Sequence, residues 1–271
     1  MKPLADGLVN LQRRRERRQI NAAAPARAEN GARSARGALA AEPDVASQGT
    51  QAMPFSDRAE AGRKLARALA SYKDRHPVVL ALPRGGAPIG AEIAAALEAP
   101  LDVVLVRKVG APGQPELAMG AVVDGEAPIV VRNEEVIAAA GVGEREFSVA
   151  CARELAEIER RRRRFLGERR RVEIAGRAAI VVDDGVATGA TARAALRAIR
   201  KRGPSELALA VPVAARETIE DLRGEVDALV CLEAPRRFDA VSAFYADFRQ
   251  VTDEEVAAIL SRFPTEAPRK A

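Results

Sequence analysis

Ile180-Val181-Val182-Asp183-Asp184-Gly185-Val186-Ala187-Thr188-Gly189-Ala190-Thr191 is the stretch on which the reading of this chain turns. A short apolar run delivers two adjacent carboxylates at its carboxyl end, and a run of small residues then leads into a helix. In an open parallel sheet, that is where ligands bind. Small side chains let backbone N–H groups wrap a phosphate, and a following helix N-terminus adds a favourable dipole. Thr188 and Thr191 offer hydroxyl donors to the same oxyanion, and two carboxylates can each accept a hydrogen bond from a vicinal diol. A ribose 5-phosphate fits the whole segment, with its phosphate on the turn and its diol on the acids. No Lys follows the second Gly, so this is not a Walker loop, and it is not GxGxxG either.

The flanks read as alternating strands and helices. Asp57 with Glu60 three residues on marks a helix start, with Leu65 and Leu69 on its apolar face. Residues 78–82 form a continuous apolar run, the pattern of a strand buried on both faces. The turn Pro83-Arg84-Gly85-Gly86 follows, then an Ala-rich helix over 89–97. A strand is predicted at 103–106 and a Gly/Pro-rich loop at 108–115, with short strands near 121–123 and 129–131. Helices are predicted over 133–140 and 144–168. Further strands fall at 178–182, 207–211 and 228–231, and further helices at about 188–201, 215–222 and 253–260. This alternation points to an α/β fold with a mostly parallel sheet flanked by helices.

The first 50 residues differ from the rest. They are rich in Ala, Arg, Gly, Ser and Asn and hold nine Lys/Arg against five Asp/Glu, leaving about +1 of the total +5 for everything after them. Residues 1–52 and 263–271 are expected to be disordered tails around one domain at 53–262. Met53 is a second candidate start. A near-neutral body does not advertise a nucleic-acid surface. With no run of 18 apolar residues, no membrane helix is expected. Cys151, Cys231 and the single His76 cannot build a zinc site, and reduced cysteines suit the cytoplasm.

The 180–191 segment resembles the phosphoribosyl-pyrophosphate motif of type I phosphoribosyltransferases, whose core is two acids, three small or apolar residues, Thr-Gly, a small residue and Thr. The likeness extends over about residues 55–260, and is closer still to bacterial members of undetermined substrate, through Phe55–Gly62, 107–120 and Phe244–Phe248. It implies the type I fold with a small hood built from the N-terminal helix and residues 236–250. It implies transfer of ribosyl 5-phosphate from 5-phosphoribosyl-1-pyrophosphate to a nucleobase-like acceptor, with magnesium, as in nucleotide salvage. Asp183 and Asp184 would hold the ribose. Ala187, Thr188, Gly189, Ala190 and Thr191 would bind the 5-phosphate, and Arg84, Gly85 and Gly86 the pyrophosphate. The resemblance also implies a cis peptide after Arg84. Arg107 and Lys108, at the root of a closing loop, would neutralise the leaving pyrophosphate. Magnesium would ride on the ligand's oxygens, near Asp183 and Asp184 only through water. Phe244, Tyr245 and Phe248 are candidates to stack on the base. A homodimer is the family expectation.

Two rival readings remain at this level. One is a ligand sensor or RNA-binding regulator on the same fold, for which Arg160–Arg164 is the best support. Five consecutive arginines circle a helix, however, and do not form a stripe. The other is a phosphoribosyl-pyrophosphate synthase, which would need a second such domain that residues 1–50 cannot supply.

Overall fold

The computed structural model describes residues 55–125, 128–263 and 265; the tail assignments at 1–52 and over most of 263–271 lie outside them. The chain runs α1 (Arg58–Ala68), a 3-10 turn (Ala70–Arg75), β1 (Val78–Ala81), α2 (Gly86–Leu97), β2 (Leu101–Val103), β3 (Val106–Ala111), β4 (Gln114–Val123) and β5 (Ile129–Arg132). It continues through α3 (Glu134–Ala139), α4 (Glu144–Leu166), β6 (Ala178–Val182), α5 (Ala190–Lys201), β7 (Glu206–Val213), α6 (Arg216–Leu222), β8 (Ala228–Glu233) and α7 (Asp253–Leu260).

Five strands form a parallel sheet in the order β2-β1-β6-β7-β8. Its central strands are buried on both faces, which is why they read as unbroken apolar runs. Alternate residues feed two cores. Val79, Ala81, Ile180 and Val182 join one with α1, α2, α4 and α7, while Val78, Leu80, Val181 and Leu209 join the other with α5 and α6. From β1 the chain winds outward to β2, and from β6 it winds the opposite way through β7 to β8. The winding therefore reverses between β1 and β6, and the crevice beyond their carboxyl ends is the ligand position this topology favours.

The 108–115 loop is not a loop. Residues 106–123 form a hairpin, β3 against β4, and with β5 they make a second, antiparallel sheet. Pro112-Gly113 is the two-residue turn. Gly113 has φ +73°, and Pro followed by a positive-φ Gly is the pattern of a type II turn. Gly110 and Pro115 read as loop punctuation but sit in an irregular stretch of the ladder, where register shifts flank Gly110. Val109, Ala111 and Met119 bury the hairpin's inner face, and that burial outweighs the Gly/Pro signal. The predicted 103–106 strand is correspondingly two elements, since the chain leaves the parallel sheet after Val103.

Candidate functional site

The acid pair ends β6 at the reversal point. Leu82 N–H donates to Val182 O at 2.8 Å, locking the β1 turn against β6. Two glycines make this approach possible. A Cβ on Gly85 would stand 1.9 Å from Asp184 Oδ2, and one on Gly86 would stand 2.6 Å from Val182 O. Gly85 has ordinary helical angles (φ −62°, ψ −35°), so space rather than backbone freedom requires it. The cis peptide lies between Pro83 and Arg84, one bond earlier than the resemblance implied. Gly85 therefore serves the neighbouring carboxylate and not the unusual peptide.

Asp184 is held from several directions. Its Oδ2 accepts from Arg58 Nε at 2.9 Å and pairs with Nη2 at 2.8 Å. Its backbone carbonyl accepts from Tyr245 Oη at 2.6 Å, and its N–H donates to Asp183 Oδ1 at 2.9 Å. Both carboxyls are half-buried. Burial, reinforced by the charge of Asp184, pushes Asp183 well above the usual carboxylate range. Burial also raises Asp184, against the opposing pull of Arg58.

Beyond the acids the chain turns sharply into α5. Val186 N–H donates to Val213 O at 2.9 Å, and Thr218 Oγ1 donates to Ala187 O at 2.6 Å. Gly189 caps α5 at φ +75° with no side-chain cap. The first-turn N–H groups are thereby left for an anion. Ala187, Thr188 and Ala190 are exposed around this terminus, Thr191 is half-buried and Gly189 is buried. Phosphate-sized recognition fits here. Arg84, half-buried on the β1 turn, has Nη1 3.6 Å from Asp253 Oδ1.

The hood joins both chain regions expected of it. Phe55 N–H donates to Phe244 O at 3.2 Å, and Ala246 N–H donates to Phe55 O at 2.9 Å. Its aromatics divide in role. Tyr245 is buried against Phe55 and Phe248 (centroids 5.4 and 5.0 Å), so its ring is a strut and has no free face for a base. One face of Phe248 carries the Arg58 guanidinium at 3.8 Å. Phe244 is half-buried and stacks on Phe238 at 5.7 Å. Val241 lies over Gly185, where a Cβ would meet it at 2.5 Å.

Arg107 and Lys108 sit on β3 and diverge. Arg107 gives both Nε and Nη2 to the buried Glu154 of α4, each at 2.8 Å, and is engaged there rather than with the acid pair. Strand alternation turns Lys108 to the other face, where it is exposed. Three of the five arginines of the Arg160–Arg164 run pair with the protein's own acids. Arg160 and Arg161 pair with Glu157, and Arg164 pairs with Asp253 and Glu254. Sequence reasoning missed Arg58, which is 126 residues from Asp184. The only local signal was an arginine in the first turn of a helix whose other early charge is acidic. Among the described residues, no group of three or more His, Cys, Asp or Glu could hold a metal ion, and no helix is long and apolar enough to cross a membrane.

A family model for the phosphoribosyl transferase domain matches residues 57–248. Two Mycobacterium tuberculosis proteins provisionally named phosphoribosyl transferases, MT0597 (strain CDC 1551) and Rv0571c (strain H37Rv), are similar to this chain. Each is 44% identical over 208 residues, covering 77% of this chain and 46% of its own length. The chain thus spans about half the length of these curated relatives. The crystal structure of TT1426 from Thermus thermophilus is similar at 43% identity and a TM-score of 0.69, covering 78% of this chain and 100% of that one.

Proposed function

The chain belongs to the phosphoribosyl transferase domain family, and from that premise we propose that it moves ribosyl 5-phosphate from 5-phosphoribosyl-1-pyrophosphate to a nitrogenous, nucleobase-like acceptor, releasing pyrophosphate. The observation that carries this reading is the convergence at one reversal point of Asp183-Asp184, the uncapped α5 N-terminus and the Arg84-Gly85-Gly86 turn. Diol, 5-phosphate and pyrophosphate are the three polar groups of that donor, and each has a matching partner.

The transfer needs no protein nucleophile. Its centre is an oxocarbenium-like anomeric carbon, so this chain contributes position and charge. Asp183 and Asp184 accept from the ribose hydroxyls. Ala187, Thr188, Gly189, Ala190 and Thr191 cradle the 5-phosphate. Arg84, with the N–H groups of Gly85 and Gly86, receives the pyrophosphate. Of the two basic residues on β3, Lys108 is the exposed cation for the leaving group, whereas Arg107 acts through its hold on Glu154. Phe244 and Phe238 offer the stacking surface for a planar acceptor.

Two carboxylates, one in an ion pair with Arg58, make no protein cage for magnesium. They fit an ion carried by the donor's own oxygens and water. When bound, it would neutralise charge developing on pyrophosphate. Salvage of bases in the cytoplasm by a homodimer belongs to the same proposal. Arginines paired within the chain lend no support to an RNA-binding regulator.

The test is a screen of purines, pyrimidines and pyridines for magnesium-dependent donor consumption with pyrophosphate release. Calorimetry with the magnesium-bound donor runs alongside. No heat on mixing, together with no competition by ribose 5-phosphate, would end this reading.

A further inference from the structure

Each acid of the pair has one oxygen already taken. Asp183 Oδ1 accepts from the N–H of Asp184, and Asp184 Oδ2 accepts from Arg58 through both Nε and Nη2. The two carboxyls also hydrogen-bond to each other. A pair of carboxyls held this way still offers acceptors to the two hydroxyls of a ribose diol.

The side chain that imposes this arrangement is itself fixed on every side. Arg58 is 9% exposed. Its Nη1 donates to Arg249 O at 2.8 Å, and its guanidinium carbon lies over Phe248, 3.8 Å from the ring centroid. Planar donors and a stacking face are properties a lysine lacks. The Gly85 turn crowds the same carboxyl, because the missing Cβ there would fall 1.9 Å from Oδ2 and 2.8 Å from Oδ1. The Asp184 carboxyl is thus packed against both an arginine of α1 and a glycine of the β1 turn. Tyr245 meanwhile holds the carbonyl of the same residue. One guanidinium connects α1, the hood at 248–249 and the β6 acid.

We propose that Arg58 is a positioning residue for the phosphoribosyl transfer described above, setting the Asp184 carboxylate so that the acid pair faces the ribose hydroxyls. The assignment rests on that functional reading for its kinetic consequence, and on geometry alone for its structural one. Arg58 touches neither donor nor acceptor in this scheme, and acts through Asp184.

Arg58→Met and Arg58→Lys test it by crystal structure and by steady-state kinetics below each variant's melting temperature. In Arg58→Met the Asp184 carboxylate is expected to rotate away from Gly85. Misplacement on the order of 1 Å lowers kcat about 100-fold, while KM for the donor stays within about threefold. Arg58→Lys restores the charge without fork or stacking and falls between the two. An Asp184 that keeps its position in the methionine variant overturns the proposal. So does a wild-type kcat with only a lowered melting temperature, which marks a purely structural residue. A raised KM with unchanged kcat overturns it too, because it marks direct donor contact. If the wild-type protein consumes no donor at all, the functional reading falls, and the position of Asp184 in the variant crystal still decides the Arg58 assignment.

Discussion

Gly85→Ala adds one methyl group at the point where the β1 turn meets the acid pair. Alanine suits the backbone there, since the residue already has φ −62° and ψ −35°. Replacing glycine at a compatible position stabilises by about 0.4–1 kcal/mol through the unfolded chain. Against that gain stands a Cβ 1.9 Å from Asp184 Oδ2 and 2.3 Å from its Cγ. Real Cβ contacts do not fall below 3.0 Å, so turn and carboxylate must separate by at least about 1 Å, a displacement that can cost about 100-fold in catalysis. That factor is about 2.7 kcal/mol of transition-state stabilisation. Overpacking costs about 1–3 kcal/mol, so net stability should fall by up to about 2.6 kcal/mol. The assay is donor binding by calorimetry together with kcat/KM, and thermal unfolding reads the stability. Gly224→Ala is the control, because its Cβ would meet nothing within 4 Å; it should leave both readings near wild type. A Gly85→Ala protein with unchanged donor affinity and turnover would refute the idea that this turn and Asp184 share one tightly packed site.

Asp183→Asn should separate stability from function. The folded-state pKa of Asp183 lies above its ordinary 3.8, so its stabilising contribution is complete below that value and is lost as pH rises through the folded one. The asparagine variant should therefore melt higher relative to wild type at pH 8 than at pH 4, while losing donor binding; an equal difference at both pH values contradicts the burial argument. Asp124→Ala strands Arg171, whose partner carboxylate is 1% exposed. A cost of about 3 kcal/mol is expected, or about 6–12 °C in Tm, and a shift under 2 °C would count against it. Glu154→Gln removes the charge that holds Arg107 to α4, so faster amide exchange is expected through 106–123 with little change in the 178–182 strand. Phe244→Ala should weaken acceptor binding more than donor binding, which competition assays with each ligand would separate.

Local chemistry in the amino-acid sequence determined a good deal. The runs at 78–82 and 178–182 reported burial on two faces, and Asp57 announced the start of α1 by accepting from the Glu60 N–H at 2.7 Å. The twin acids and the Gly189 helix start were legible because a strand end, two carboxylates and a positive-φ cap are all sequence-local. The hairpin at 106–123 was not, because Gly110, Pro112, Gly113 and Pro115 speak for a loop. Only pairing with β5 and burial of Val109 and Met119 decide for strands. Likewise Arg107 looked like a free cation until Glu154 of α4 claimed it, and Tyr245 looked like a stacking face until Phe55 and Phe248 covered it. Arg58 became visible only when the α1 terminus met the end of β6 across 126 residues. Composition and short-range pattern report what each segment can bury and cap. Which charge meets which partner depends on long-range packing, and that belongs to the tertiary structure.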